Sequence, residues 1–65
     1  MIQVIDSRKT VLVRYQLEDL PVFPSKLSAL LAQHGHQSRP GEVSLPREQR
    51  RTVRGLVSKF NNHRQ

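Results

Sequence analysis

Four arginines near the end of this 65-residue chain, Arg47, Arg50, Arg51 and Arg54, fall at i, i+3, i+4 and i+7. On a helix, that spacing puts four guanidinium groups on one face. Their chemistry is anion recognition. The planar fork of arginine pairs phosphate or carboxylate through two parallel hydrogen bonds, and it matches the edge of guanine. Like charges at this spacing repel. Glu48 is the acid beside them, and it points elsewhere on the helix. A face that costs local stability is expected where a partner supplies the missing charge. The bland alternative is a solvated basic face that keeps the chain soluble.

Arg14 and Gln16 form a second candidate pair. On a strand they share one face, and their side chains have the forks that read guanine and adenine edges from a ribbon in the major groove. Exposed strand positions often carry such residues without any ligand. Other chemistry finds little support. His34, His36 and His63 do not make a zinc signature, and no cysteine assists them. The serines lack a nucleophile motif, the five acids show no paired arrangement, and no glycine-rich phosphate loop is present. The expectation is a protein without metal, cofactor, small-molecule substrate or enzymatic activity.

Composition points the same way. Eleven Lys and Arg against five Asp and Glu give a net charge of +6. Residues 1–38 hold four cations against three acids, a net of +1; residues 39–65 hold seven against two, a net of +5. Charge this dense attracts nucleic acid, acidic lipid or acidic protein. The start MIQVIDSRK lacks the pattern of a signal peptide, and no apolar run approaches the roughly 20 residues needed to span a bilayer. A cytoplasmic protein is expected, with no membrane partner.

The elements that must position these groups follow from periodicity. Residues 1–17 read as a β-ribbon or hairpin. Ile2 and Val4 share one side, DSRK supplies the turn, and Val11, Val13, Tyr15 and Leu17 alternate with Thr10, Leu12, Arg14 and Gln16. Pro21 and Pro24 end the ribbon. Residues 24–34 predict an amphipathic helix with Leu27, Leu30, Leu31 and His34 on one face, and Gly35 suits a left-handed helix end. HQSRPGEV reads as a loop with a turn at Pro40-Gly41. Residues 45–60 predict a second, basic helix, opened by Pro46, with Val53, Leu56, Val57 and Phe60 as its apolar stripe. Gly55 inside that helix costs about 1 kcal/mol relative to alanine and suggests a close approach by another element. Residues 61–65 are expected to fray. No internal repeat is visible.

The order strand, helix, helix invites comparison with ribbon-helix-helix repressors, whose paired strands enter the major groove. TVLVRYQL would be the ribbon, SKLSALLAQHG the first helix and PREQRRTVRGLVSKF the second. Both connections are longer than that family's, and the second helix lacks its serine-rich start.

The sequence therefore predicts one α+β domain over residues 1–65, with an N-terminal β-ribbon and two amphipathic helices. A chain this short, with three aromatics and no cysteine, has a thin core. A homodimer sharing the core from Val11, Val13, Leu27, Leu30, Leu31, Val53, Leu56, Val57 and Phe60 is expected. The leading functional expectation is a transcriptional regulator, or a plasmid or phage accessory factor. It would bind double-stranded DNA through Arg47, Arg50, Arg51 and Arg54, with Arg14 and Gln16 touching bases. The alternatives are an RNA-binding protein and a small module that docks its basic helix on an acidic protein partner.

Overall fold

A computed structural model describes residues 1–63, the side chain of His63 excepted. The chain is α+β. It runs β1 (Gln3–Asp6), β2 (Thr10–Arg14), a 3₁₀ segment (Leu17–Val22), α1 (Ser25–His34), β3 (His36–Arg39), β4 (Glu42–Pro46), a 3₁₀ turn (Arg47–Gln49) and α2 (Arg50–His63). The four strands form one antiparallel sheet in the order β1-β2-β4-β3. Although the sequence shows no repeat, the chain traces a hairpin and then a helix, twice. The two central strands meet at the middle of the sheet.

The N-terminal hairpin forms as its alternation predicts. Val4 faces Val13 across β1 and β2, and Val11 and Val13 are fully buried on the inner face. No glycine is needed at the turn, because Ser7 closes it. Its N–H donates to the Thr10 carbonyl at 2.9 Å, and its Oγ lies 2.8 Å from Thr10 Oγ1. The ribbon stops at Arg14 rather than at residue 17. Tyr15 turns into the core, Gln16 precedes the 3₁₀ segment, and Leu17 is exposed.

The predicted loop HQSRPGEV is instead the second hairpin. EVSLP alternates, and Val43 and Leu45 are buried between half-buried Glu42 and Ser44. β4 pairs with β2 throughout, from Thr10 against Pro46 to Arg14 against Glu42. Pro40-Gly41 makes the connection. Gly41 has φ +80, the left-handed value that the third position of a type II turn requires after proline. Its carbonyl accepts the Tyr15 N–H at 2.8 Å, locking this turn to the end of β2. The β3–β4 pairing carries a register shift between Gln37 and Arg39.

α1 spans Ser25–His34, one residue from the predicted start. Gly35 follows it, but in an extended conformation (φ −83, ψ 150), not a left-handed one. Glycine is required there by crowding: a Cβ would collide with the Leu31 carbonyl and the Val43 side chain. The basic helix begins later than residue 45, because Leu45 and Pro46 belong to β4.

One chain covers its own ribbon. Both helices pack on the same face of the sheet. The core adds Ile2, Phe23, Val43 and Leu45 to the expected Val11, Val13, Leu27, Val53, Val57 and Phe60, while Leu30, Leu31 and Leu56 are half-buried at its edge. Phe23, read from sequence as part of a connector, stands between Tyr15 and Phe60. Its edge-to-face contacts have centroid distances of 5.3 and 5.5 Å. The two helices lie over the ribbon's apolar face, and the second hairpin extends its sheet beyond β2.

Where the sequence predicts a frayed tail, residues 61–63 continue α2; residues 64–65 lie outside the described residues. Asn61 Oδ1 accepts the Ile2 N–H and its Nδ2 donates to the Ile2 carbonyl, both at 3.1 Å. The amide acts as one more strand residue and ties the start of the chain to the end of α2. Asn61→Ala would leave both Ile2 groups without their partner. We expect a loss of about 1–2 kcal/mol in chemical denaturation and faster amide exchange at Ile2. No helix of the described residues is long and apolar enough to cross a membrane.

Candidate nucleic-acid interface

The arginine cluster sits where β4 gives way to α2. Pro46 starts the 3₁₀ turn that carries Arg47, and this turn runs directly into α2. Arg50, Arg51 and Arg54 therefore occupy the first turns of α2, which itself holds no acid there, while Glu48 stands in the 3₁₀ turn just before it. Cations at a helix N-terminus oppose the macrodipole, whose positive end is there. The arrangement is doubly unfavourable, from the dipole and from mutual repulsion at i, i+3 and i+4.

The fold relieves part of this. Arg54 pairs with Asp6, which lies 48 positions earlier at the end of β1. Arg47 Nη1 donates to the Arg8 carbonyl at 3.2 Å. Glu48 was the only relief visible in the sequence; it makes no ion pair among the described residues, and the relief comes from Asp6. Arg50, half-buried, and Arg51, exposed, have no carboxylate partner among the described residues.

The contact between Arg47 and Arg8 adds two groups that sequence reasoning did not place in the site. Arg8 and Lys9 are exposed on the β1–β2 turn, beside the start of α2. One end of the molecule thus gathers Arg8, Lys9, Arg47, Arg50, Arg51 and Arg54 against Asp6 and Glu48. The turn was legible in the sequence as DSRK, but its nearness to α2 depends on β2 pairing with β4.

Arg14 and Gln16 are not part of this end. Arg14 ends β2 and Gln16 follows it, at the opposite end of that strand from the β1–β2 turn; Arg14 is about 13 Å from Thr10 at the usual rise per strand residue. Arg14 is exposed, and Glu42 holds it with an Nη2–Oε2 distance of 3.1 Å. The other oxygen of Glu42 takes Arg39 Nε at 3.3 Å. The outer sheet face therefore presents Arg14 already engaged by a carboxylate. Gln16 is exposed and flanks a shallow depression with Met1, Gln3, Arg14 and Tyr15. The six candidate residues divide into a cluster of four and a separate pair.

His34 and His36 are exposed on either side of Gly35, and the side chain of His63 lies outside the described residues. No group of three His, Asp or Glu side chains suited to a metal occurs among the described residues. No family model, curated protein or solved structure matches the chain.

Proposed function

We propose that this protein binds double-stranded DNA through its basic end, as a small transcriptional regulator or a plasmid or phage accessory factor. The start of α2 carries the reading. Arg50 and Arg51 open a helix against its own dipole and lack an acidic partner among the described residues. A phosphate placed there would relieve both costs at once. Arg8 and Lys9 extend the same surface from the hairpin turn, giving phosphate contacts from two elements. Binding of this kind positions a protein on the duplex, while sequence preference needs base contacts. Arg14 and Gln16 would supply those only if Arg14 leaves Glu42.

Duplex DNA is favoured over single-stranded RNA by where the rings lie. Sheet-based RNA modules stack bases on exposed aromatics. Here Tyr15, Phe23 and Phe60 form an inward row, and the outer face carries Gln3, Ile5, Thr10, Leu12 and Arg14 instead. Fluorescence titration of labelled duplex and of single-stranded RNA tests this, with tighter duplex binding expected.

The homodimer belongs to the same proposal, with its seat moved away from the shared core. Leu17, Leu20 and Val22, in the 3₁₀ segment, are 54%, 43% and 60% exposed and offer apolar surface to a second copy. Sedimentation at micromolar concentration is expected to return about 15 kDa, twice the 7.5 kDa of one chain. A folded species at the mass of one chain would remove the dimer and leave the DNA surface standing.

A further inference from the structure

On the side away from the sheet, α1 and α2 leave an open groove of about 540 Å³. Ala29, Leu30, Gly55 and Leu56 line it, together with the polar Gln33 and Thr52. Lys26, Arg51 and Lys59 line it too, and no acid does among the described residues. None of these three cations has an ion-pair partner among the described residues.

Gly55 lines the groove without a side chain. Glycine inside a helix is less stable than alanine, so it calls for a reason. Conformation is not the reason: among the described residues only Gly41 has a positive φ. Internal packing is not the reason either, since a Cβ at Gly55 would meet nothing within 4 Å. The close approach that the sequence suggested at Gly55 is absent within the chain. The missing side chain leaves room for something outside it.

We propose that this groove docks an acidic amphipathic helix of a partner protein, with an apolar side chain seated over Gly55 and carboxylates meeting Lys26, Arg51 and Lys59. Charge complementarity selects the occupant. Three cations beside Leu30 and Leu56 match a segment that alternates apolar anchors with acids. A duplex would satisfy the cations but offer nothing to Leu30 and Leu56. A second copy of this chain cannot supply such a helix, because neither α1 nor α2 carries an acid. Arg51 lies in both this groove and the basic end, so the acidic helix and the duplex would compete for the protein.

The probe is a labelled peptide of about 12 residues, enough for three turns, with leucines at i, i+3, i+4 and i+7 and glutamates at most other positions. A scrambled peptide of the same composition controls for charge alone. The full chain is expected to bind the patterned peptide saturably and more tightly than the scramble. Gly55→Leu, which fills the groove, and Lys59→Glu are each expected to weaken it by roughly tenfold. Both variants are expected to stay folded, because position 55 meets no other group and Lys59 is exposed. Duplex affinity should be unchanged in Gly55→Leu. Equal binding of patterned and scrambled peptides, or full binding by Gly55→Leu, would overturn the proposal. Loss of duplex binding in Gly55→Leu would assign the groove to nucleic acid, and loss of self-association would assign it to a second copy; either also overturns it.

Discussion

Replacing Leu27 by alanine is expected to leave the protein close to unfolded at 25 °C. Leu27 is fully buried and is the buried residue of α1, so that helix is held to the sheet chiefly by this side chain. Truncating a buried leucine costs about 2–5 kcal/mol, through lost burial and the cavity left behind. At about 0.05–0.15 kcal/mol per residue, a chain of this length has only about 3–10 kcal/mol in total. The substitution therefore removes a large share of the stability. Urea denaturation followed by circular dichroism reads this as a midpoint near zero or strongly lowered. Leu30→Ala should cost much less, since Leu30 is half-buried at the core edge. A Leu27→Ala midpoint equal to that of the parent would mean that α1 is not docked as described.

The second large effect is expected at the start of α2. Arg50→Ala with Arg51→Ala should weaken binding to every duplex alike, whatever its sequence, because phosphate contacts carry no sequence information. Each phosphate neutralised contributes about 0.9 to the slope of log K against log salt, so the double variant should flatten that slope by about one to two units. Stability should hold or rise. The substitution removes repulsion and unfavourable dipole contacts and introduces the best helix former. Arg54→Ala makes the contrast: Arg54 is already paired with Asp6, so its loss should change the slope less. Binding of the double variant that matches the parent in affinity and slope would reduce the arginine face to a solvated one.

The parts of this fold that were legible from sequence are those where burial and periodicity agree. Val11 and Val13 alternate with polar neighbours and are buried; Leu27 and the stripe through Val53, Val57 and Phe60 follow helical spacing and are buried too. The second hairpin was hidden for a physical reason. HQSR is exposed along its whole length and carries no apolar signal; it becomes a strand because β4 offers it an edge and Pro40-Gly41 turns it back. Val43 and Leu45 do alternate, but they stand just before Pro46, which also suits a helix opening. Phe23 sits between two prolines, where sequence suggests a connector, yet it links Tyr15 to Phe60.

The candidate site was legible in its helix half only. Arg47, Arg50, Arg51 and Arg54 share a face by spacing alone. Their division into engaged and unengaged groups depends on Asp6 and on the Arg8 carbonyl, which only the sheet brings near. Arg14 looked free on its strand, and Glu42 holds it from a strand that the sequence did not reveal.

Titration of a labelled duplex across a range of salt concentrations tests the central claim most directly. Phosphate contacts by Arg8, Lys9, Arg47, Arg50 and Arg51 predict saturable binding with a slope of log K against log salt of roughly −4 to −5. Failure to bind duplex at low salt, or an affinity that does not change with salt, would contradict the account.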